Sequence, residues 1–241
     1  MTLTLRVLGC DTPYPRPGRP CSGYLVDASG TLLVLELGHA VWPELLRYAD
    51  PKSLAAVWIS HLHPDHCVDL FAAYQWAANT DGARRLSVYG PPGWVARLGA
   101  ALPGDDGPAR LRRLFDVHEH DREPVRVGEV ELAAVPVCHS VPTYGLRLTH
   151  HGRVLAFSGD SGACPALATL AAGADVFLCE AGSTEPGQPY HCTPEEAAEI
   201  GSSARRLVLT HLAPGLAAED TSRRATGATV AQPGVIIDCG S

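Results

Sequence analysis

The 241-residue chain has no apolar run of about 18 residues, so no segment reads as a membrane-spanning helix. Its opening, MTLTLRVLGC, lacks the basic-then-apolar order of a secretory leader. The expectation is a soluble, cytoplasmic protein with no membrane partner. Positive charge is scarce: 19 Lys and Arg against 26 Asp and Glu leave a net charge of −7. That balance argues against broad attraction to a nucleic-acid backbone, and so against long RNA or DNA as a partner. The eight cysteines (Cys10, Cys21, Cys67, Cys138, Cys164, Cys179, Cys192 and Cys239) stand singly, with no C-x-x-C pair to suggest a zinc ribbon or a redox motif. No internal repeat and no low-complexity tail appears. What is present is 46% hydrophobic content over a length that suits one large domain, residues 1–241.

Apolar runs of strand length bounded by glycine, proline and aspartate recur from the start. LTLRVLG, SGYLVDA and TLLVLELG read as an antiparallel meander with Asp27-Ala-Ser-Gly30 as its second turn. Helical spacing covers 40–48, and SLAAVWIS is a buried strand. A helix over 67–78, the strand LSVYG and the helix PPGWVARLGAAL follow. The segment 103–121 is the least regular; its Arg110, Arg112 and Arg113 read as a solvated face, with a substrate-facing patch as the alternative. Two hairpins come next, turning at Gly128-Glu129 and at His151-Gly152. Helix, strand, helix and strand then alternate through ACPALATLAAGA, DVFLCEA, TPEEAAEIGSSA and RRLVLTH, before a short helix and one final strand. Meanders that give way to strands alternating with helices predict a layered α/β sandwich with its site on the loops after strand ends.

The densest chemistry is SHLHPDHCVDL, where His61, His63, Asp65 and His66 fall within six positions. Imidazoles so crowded repel one another when protonated, and a divalent metal is the usual reason for keeping them neutral. Three further metal-capable side chains end apolar strands: His139 after AAVPVC, Asp160 after VLAFSG and His211 after RLVLT. Imidazole and carboxylate donors suit zinc, with manganese or iron admissible in the same shell. Cys67 and Cys138 adjoin these histidines, but packing beside the site is the expectation for both.

SHLHPDHCVDL, CHSVPTYGLRL, FSGDSG and LVLTHL, in this order, resemble the successive motifs of the metallo-β-lactamase superfamily, in particular its ribonuclease Z-like branch; the resemblance spans nearly the whole chain. It implies a four-layered αββα sandwich with the site at one edge of two sheets. It further implies two zinc ions, one held by His61, His63 and His139, the other by Asp65, His66 and His211, with Asp160 bridging. Two metals can share a hydroxide and stabilise charge on both attacking and leaving oxygens. YHCTPEEA resembles the branch's H-x-T motif, which makes His191, with Asp65, the catalytic pair and gives His191 the part of general acid or oxyanion stabiliser. Thr193 and Glu196 there form a capping-box pattern. Glu180 stands as a residue orienting a ligand histidine, Tyr144 as a pocket hydroxyl or a packed strand residue, and Glu36 as a replacement for the family's aspartate in LELGHA.

The expected activity is hydrolysis of a small or short phosphodiester, the alternative a thioester, lactone or other carboxylic derivative. The tight THHGRV connection leaves no room for the arm with which ribonuclease Z grips transfer RNA, which lowers tRNA 3′ processing. Asp160 argues against a β-lactamase, and seven donors with open positions argue against a non-catalytic binding module. A homodimer is implied by the resemblance alone.

Overall fold

The computed structural model describes residues 2–82 and 84–240. In the first half, β1 (Leu3–Gly9), β2 (Gly23–Ala28) and β3 (Thr31–Leu35) form the expected antiparallel meander. Then come α1 (Val41–Leu45), β4 (Leu54–Trp58), α2 (Pro64–Cys67), α3 (Leu70–Asn79), β5 (Leu86–Gly90), α4 (Trp94–Gly99), α5 (Gly107–Leu114) and β6 (Phe115–Glu119), with β3 to β6 parallel. In the second half, β7 (Val125–Val127), β8 (Val130–Pro136), β9 (Tyr144–His150) and β10 (Arg153–Phe157) are antiparallel. After them α6 (Pro165–Ala171), β11 (Val176–Ala181), α7 (Pro194–Ile200), β12 (Leu207–Leu212), α8 (Ala218–Arg224) and β13 (Thr229–Val230) complete a parallel run. The strand β14 (Ile236–Asp238) returns to pair with β1, so the sheets run β14-β1-β2-β3-β4-β5-β6 and β13-β12-β11-β10-β9-β8-β7.

The packing follows from the strand patterns. Alternating Leu3, Leu5 and Val7 of β1 face Leu132, Leu148, Leu155 and Phe157 of the other sheet in one apolar layer between the sheets. Central strands such as β11, VFLCEA, are buried on both faces, because helices cover their outer side. Outside the first sheet, α1, α3, α4 and α5 close a second apolar layer around Val57, Trp94 and Phe115. Outside the second, α6 and α7 close a third around Leu167, Phe177 and Ala197. The order helix, sheet, sheet, helix is the four-layered α/β sandwich expected from the sequence. No helix among the described residues is long and apolar enough to cross a membrane.

Several boundaries differ from the sequence reading. The irregular 103–121 segment holds α5 and β6: Asp106 pairs with Arg110 at 3.0 Å and with Arg113 at 3.6 Å, so these arginines serve the helix's own start. The helix expected over 67–78 is α3, which begins only at Leu70; the separate short α2 ends at Cys67, and between them Asp69 accepts the Trp42 backbone N–H at 2.8 Å. The chain's end forms two strands, one in each sheet, where one was expected. The hairpins stand as read: His151 and Gly152 carry φ of 47° and 78° in a two-residue turn between β9 and β10, and no arm extends there. At Thr193 both halves of the capping box form, with its backbone N–H donating to Glu196 at 2.8 Å.

Candidate metal centre and catalytic cleft

Four polypeptide stretches bring the seven donors to one edge. β4 delivers Ser60 to His63, and Pro64 opens α2 so that Asp65 and His66 face back toward the strand end. β8 leads to His139 and β10 to Asp160. In β12 the pairing with β11 skips His211, whose φ is 49°, so the residue bulges from the ladder. A non-glycine residue at positive φ costs energy and persists only where surroundings enforce it.

The seven fall into two groups. His61 Nε2 and His139 Nε2 face His63 Nδ1 at 3.0 and 3.2 Å. Asp160 Oδ2 stands 3.8 Å from His61 Nε2 and 3.9 Å from His139 Nε2. In the second group His211 Nε2 is 3.3 Å from Asp65 Oδ2, and His66 Nε2 is 3.7 Å from the same oxygen. Asp160 meets this group too, Oδ1 at 3.4 Å from His66 Nε2 and Oδ2 at 3.3 Å from His211 Nε2.

Their electrostatics favour a cation. Burial, aided by neighbouring imidazoles, pushes His61 well below the ordinary histidine pKa, and burial lowers His63 and His139 as well, so their lone pairs are free to donate. Burial opposes the charge on Asp160, yet His211 and His66 outweigh it and hold the carboxyl well below its usual range. His66 Nε2 and Asp160 Oδ1 are buried without a hydrogen-bond partner among the described residues. Convergent, unsatisfied nitrogen and oxygen atoms at these spacings are costly unless a metal occupies the space between them. The donors present therefore fit two divalent ions, and no cysteine belongs to either group among the described residues. Cys67 is packed as expected, whereas Cys138 is exposed beside His139.

The far sides of the rings are held as well. Ser60 Oγ lies 2.9 Å from His61 Nδ1, and His139 Nδ1 donates to the Tyr190 carbonyl at 3.0 Å. Glu36, at φ 63°, accepts the Ser60 N–H through Oε1 at 2.8 Å and sets Oε2 3.2 Å from His66 Nδ1, at ion-pair distance but off the hydrogen-bond axis. Burial raises the Glu36 pKa against the pull of His66, while the carboxylates of Asp160 and Glu36 overcome burial to raise His66. Such contacts fix which ring nitrogen is offered inward. Thr12 donates its hydroxyl to Asp65 Oδ2 at 3.1 Å. Thr12, Ser60 and the Tyr190 carbonyl are absent from the residues singled out in the sequence; the only signal for Thr12 was its place in the proline-rich loop after β1.

One expectation changes. Glu180 touches none of the seven donors. At the end of β11 its Oε1 accepts from Ser161 N at 2.9 Å and from His191 Nδ1 at 3.0 Å, and its Oε2 accepts from Gly182 N at 2.5 Å. It therefore orients His191 and the backbone after Asp160. Burial works against a charged His191, but Glu180 outweighs it and the pKa lies above the ordinary value. Gly182 is required beside them, because a Cβ there would meet His191 Nδ1 at 2.7 Å. Of the two readings left open for Tyr144, the packed one fits: its ring lies 5.0 Å from that of His120 and against the core between the sheets.

Four of the donors, His63, Asp65, Asp160 and His211, line a cleft of about 380 Å3 together with Thr12 and His191. His191 offers a ring nitrogen within 4.8 Å of Asp160 and His211.

Residues 23–212 match the family model described as the Beta-lactamase superfamily domain. An uncharacterized protein of Mycobacterium leprae (strain TN) is 41% identical over 231 residues, 91% of this chain and 81% of that protein. A ribonuclease Z of Mycolicibacterium paratuberculosis (strain ATCC BAA-968 / K-10) is 32% identical over 250 residues, 90% of this chain and 88% of that protein. The metallo-beta-lactamase fold protein YhfI from Bacillus subtilis superposes with a TM-score of 0.86 at 22% identity, covering 99% of this chain and 100% of that one. With the fold, the donor order and these likenesses in agreement, the chain belongs to the metallo-β-lactamase superfamily of hydrolases, in its ribonuclease Z-like branch.

Proposed function

We propose that the chain is a dinuclear zinc-dependent phosphodiesterase acting on a small or short phosphodiester. The observation that carries this reading is Asp160, whose carboxylate stands within 3.9 Å of histidine nitrogens in both donor groups. His61, His63 and His139 would hold one ion; Asp65, His66 and His211 would hold the other, with Asp160 reaching both. Two bound zinc ions supply Lewis acidity and acidify a water in the cleft.

The chain's own groups supply the rest. His191 presents its cleft-side nitrogen while Glu180 holds Nδ1 and favours the protonated ring, the state needed to give a proton to a departing ester oxygen. Thr12 donates its hydroxyl to Asp65 Oδ2 and so helps to fix that carboxylate. The relative named ribonuclease Z supports phosphodiester chemistry. The two-residue turn between β9 and β10, and a net charge of −7, support a small substrate over a structured RNA.

Elemental analysis of the purified protein, paired with hydrolysis of bis(p-nitrophenyl) phosphate, tests the reading. About two zinc ions per chain and turnover are expected, with Asp160→Ala losing both. Hydrolysis of thioesters or lactones without any phosphodiester turnover would replace the reading with acyl chemistry.

A further inference from the structure

Beside the donor cleft lies a second one of about 260 Å3, lined by Leu62, His63, Pro91, Pro92, Arg97, Val141 and Pro142 together with Gly93. His63 borders both, so the two spaces meet at one candidate metal ligand. Their polar groups differ. The donor cleft sets imidazoles and carboxylates among Pro13, Pro64 and Pro214, whereas the second carries, besides His63, proline, leucine and valine with a single arginine. An apolar cavity of about 150 Å3 takes a benzene molecule, so this space admits a ring with substituents.

The guanidinium is the informative group. Most arginines of this chain are tied to a carboxylate or a carbonyl, as Arg16 and Arg19 are to Asp11, Arg153 and Arg205 to Asp175, and Arg224 to Glu195. Arg97, exposed in the last turn of α4, has neither a hydrogen bond nor an ion pair among the described residues. Its five donors are free for a planar anion.

We propose that this second cleft is the subsite for one ester arm of the substrate, and that the arm it takes is an apolar, ring-sized group carrying an anion for Arg97. The inference rests on the phosphodiesterase reading. It makes Arg97 a specificity residue, because it would meet the far end of the arm and not the reacting atoms.

Two diesters that share a leaving group test it: p-nitrophenyl phenyl phosphate, and p-nitrophenyl phosphate esterified to 4-hydroxybenzoate through its phenol oxygen. The zinc-loaded protein is expected to show a several-fold lower KM for the carboxylated diester. In Arg97→Met the ratio of the two KM values should fall to about one, and Arg97→Lys should retain part of the preference. An unchanged KM ratio in Arg97→Met overturns the proposal, as does equal loss of turnover on both substrates. If the protein hydrolyses neither diester, the phosphodiesterase reading fails on its own. Calorimetry with 4-carboxyphenylphosphonate and phenylphosphonate then still decides the subsite: tighter binding of the former that is lost in Arg97→Met sustains it, and equal binding sinks it.

Discussion

At the scale of single residues, the cleft holds histidines in two electrical states. Burial keeps His61, His63 and His139 neutral and donating, while Glu180 favours charge on His191. Direction alone does not sort the roles, since the carboxylates of Asp160 and Glu36 raise His66 as well; what sets His191 apart is Glu180 on its Nδ1, although His191 stands near enough to Asp160 and His211 to be counted with them by distance. His191→Ala is therefore expected to keep about two zinc ions per chain while kcat falls by roughly 10²- to 10⁴-fold, the usual range for loss of a general acid. Emptying of a site in that variant, read by elemental analysis, would make His191 a ligand. Glu36→Gln should do the reverse. By loosening the rear contact of His66 it is expected to weaken zinc binding about 10- to 100-fold with the protein still folded, as chelator competition would show.

Individual elements explain why the donors were legible and their supports were not. A metal-capable residue close to the end of an apolar strand announces itself as a donor: His139 and Asp160 lie just beyond β8 and β10, and His211 is the penultimate residue of β12. The family motifs also carry His61 to His66. The groups behind them depend on contacts between distant elements. Thr12 reaches Asp65 across 53 positions, and His139 is held by a backbone carbonyl at 190 that no side-chain pattern encodes. The second strand at the chain's end was hidden for a similar reason: β13 has only two residues, too short to show alternation. Gly38 was equally silent, although it sets how closely the β3–α1 loop approaches α2. A Cβ at Gly38 would lie 2.0 Å from the Asp65 carbonyl oxygen, a backbone atom that cannot swing aside. Gly38→Ala is expected to cost about 1–3 kcal/mol or more in denaturant unfolding and to lower zinc affinity by displacing Asp65 and His66 together. Wild-type stability and affinity in that variant would show that the loop yields freely.

Across the whole molecule, the site sits on the seam between the sheets. His61, His63, Asp65 and His66 come from the first sheet's side and His139, Asp160 and His211 from the second, with the Tyr24 hydroxyl 2.6 Å from Thr210 Oγ1 spanning the same gap. Bound cations would thus tie the two halves, and chelation should lower the melting temperature in proportion to RT ln(1 + [L]/Kd), about 2.7 kcal/mol at a free metal concentration 100 times Kd. Once metal is removed, a different group on this seam governs part of the acid response. His120 stacks on Trp58 at 3.9 Å, donates Nε2–H to the Ile59 carbonyl at 2.7 Å, and is pushed down by burial to a pKa of about 4 from 6.5. Between those values the unfolded chain binds a proton that the folded chain refuses, so stability is full above the unfolded pKa and falls as the pH drops toward 4. At about 1.36 kcal/mol per pKa unit, the loss attributable to His120 is roughly 3 kcal/mol. His120→Gln removes the titration and keeps an N–H for Ile59. Chelated wild type and chelated variant, unfolded in urea at pH 7 and pH 4, share every other titrating group, so the wild type should lose roughly 3 kcal/mol more than the variant across that interval. Equal losses would mean that His120 takes up its proton in the folded protein too, and that the seam beneath Trp58 admits water.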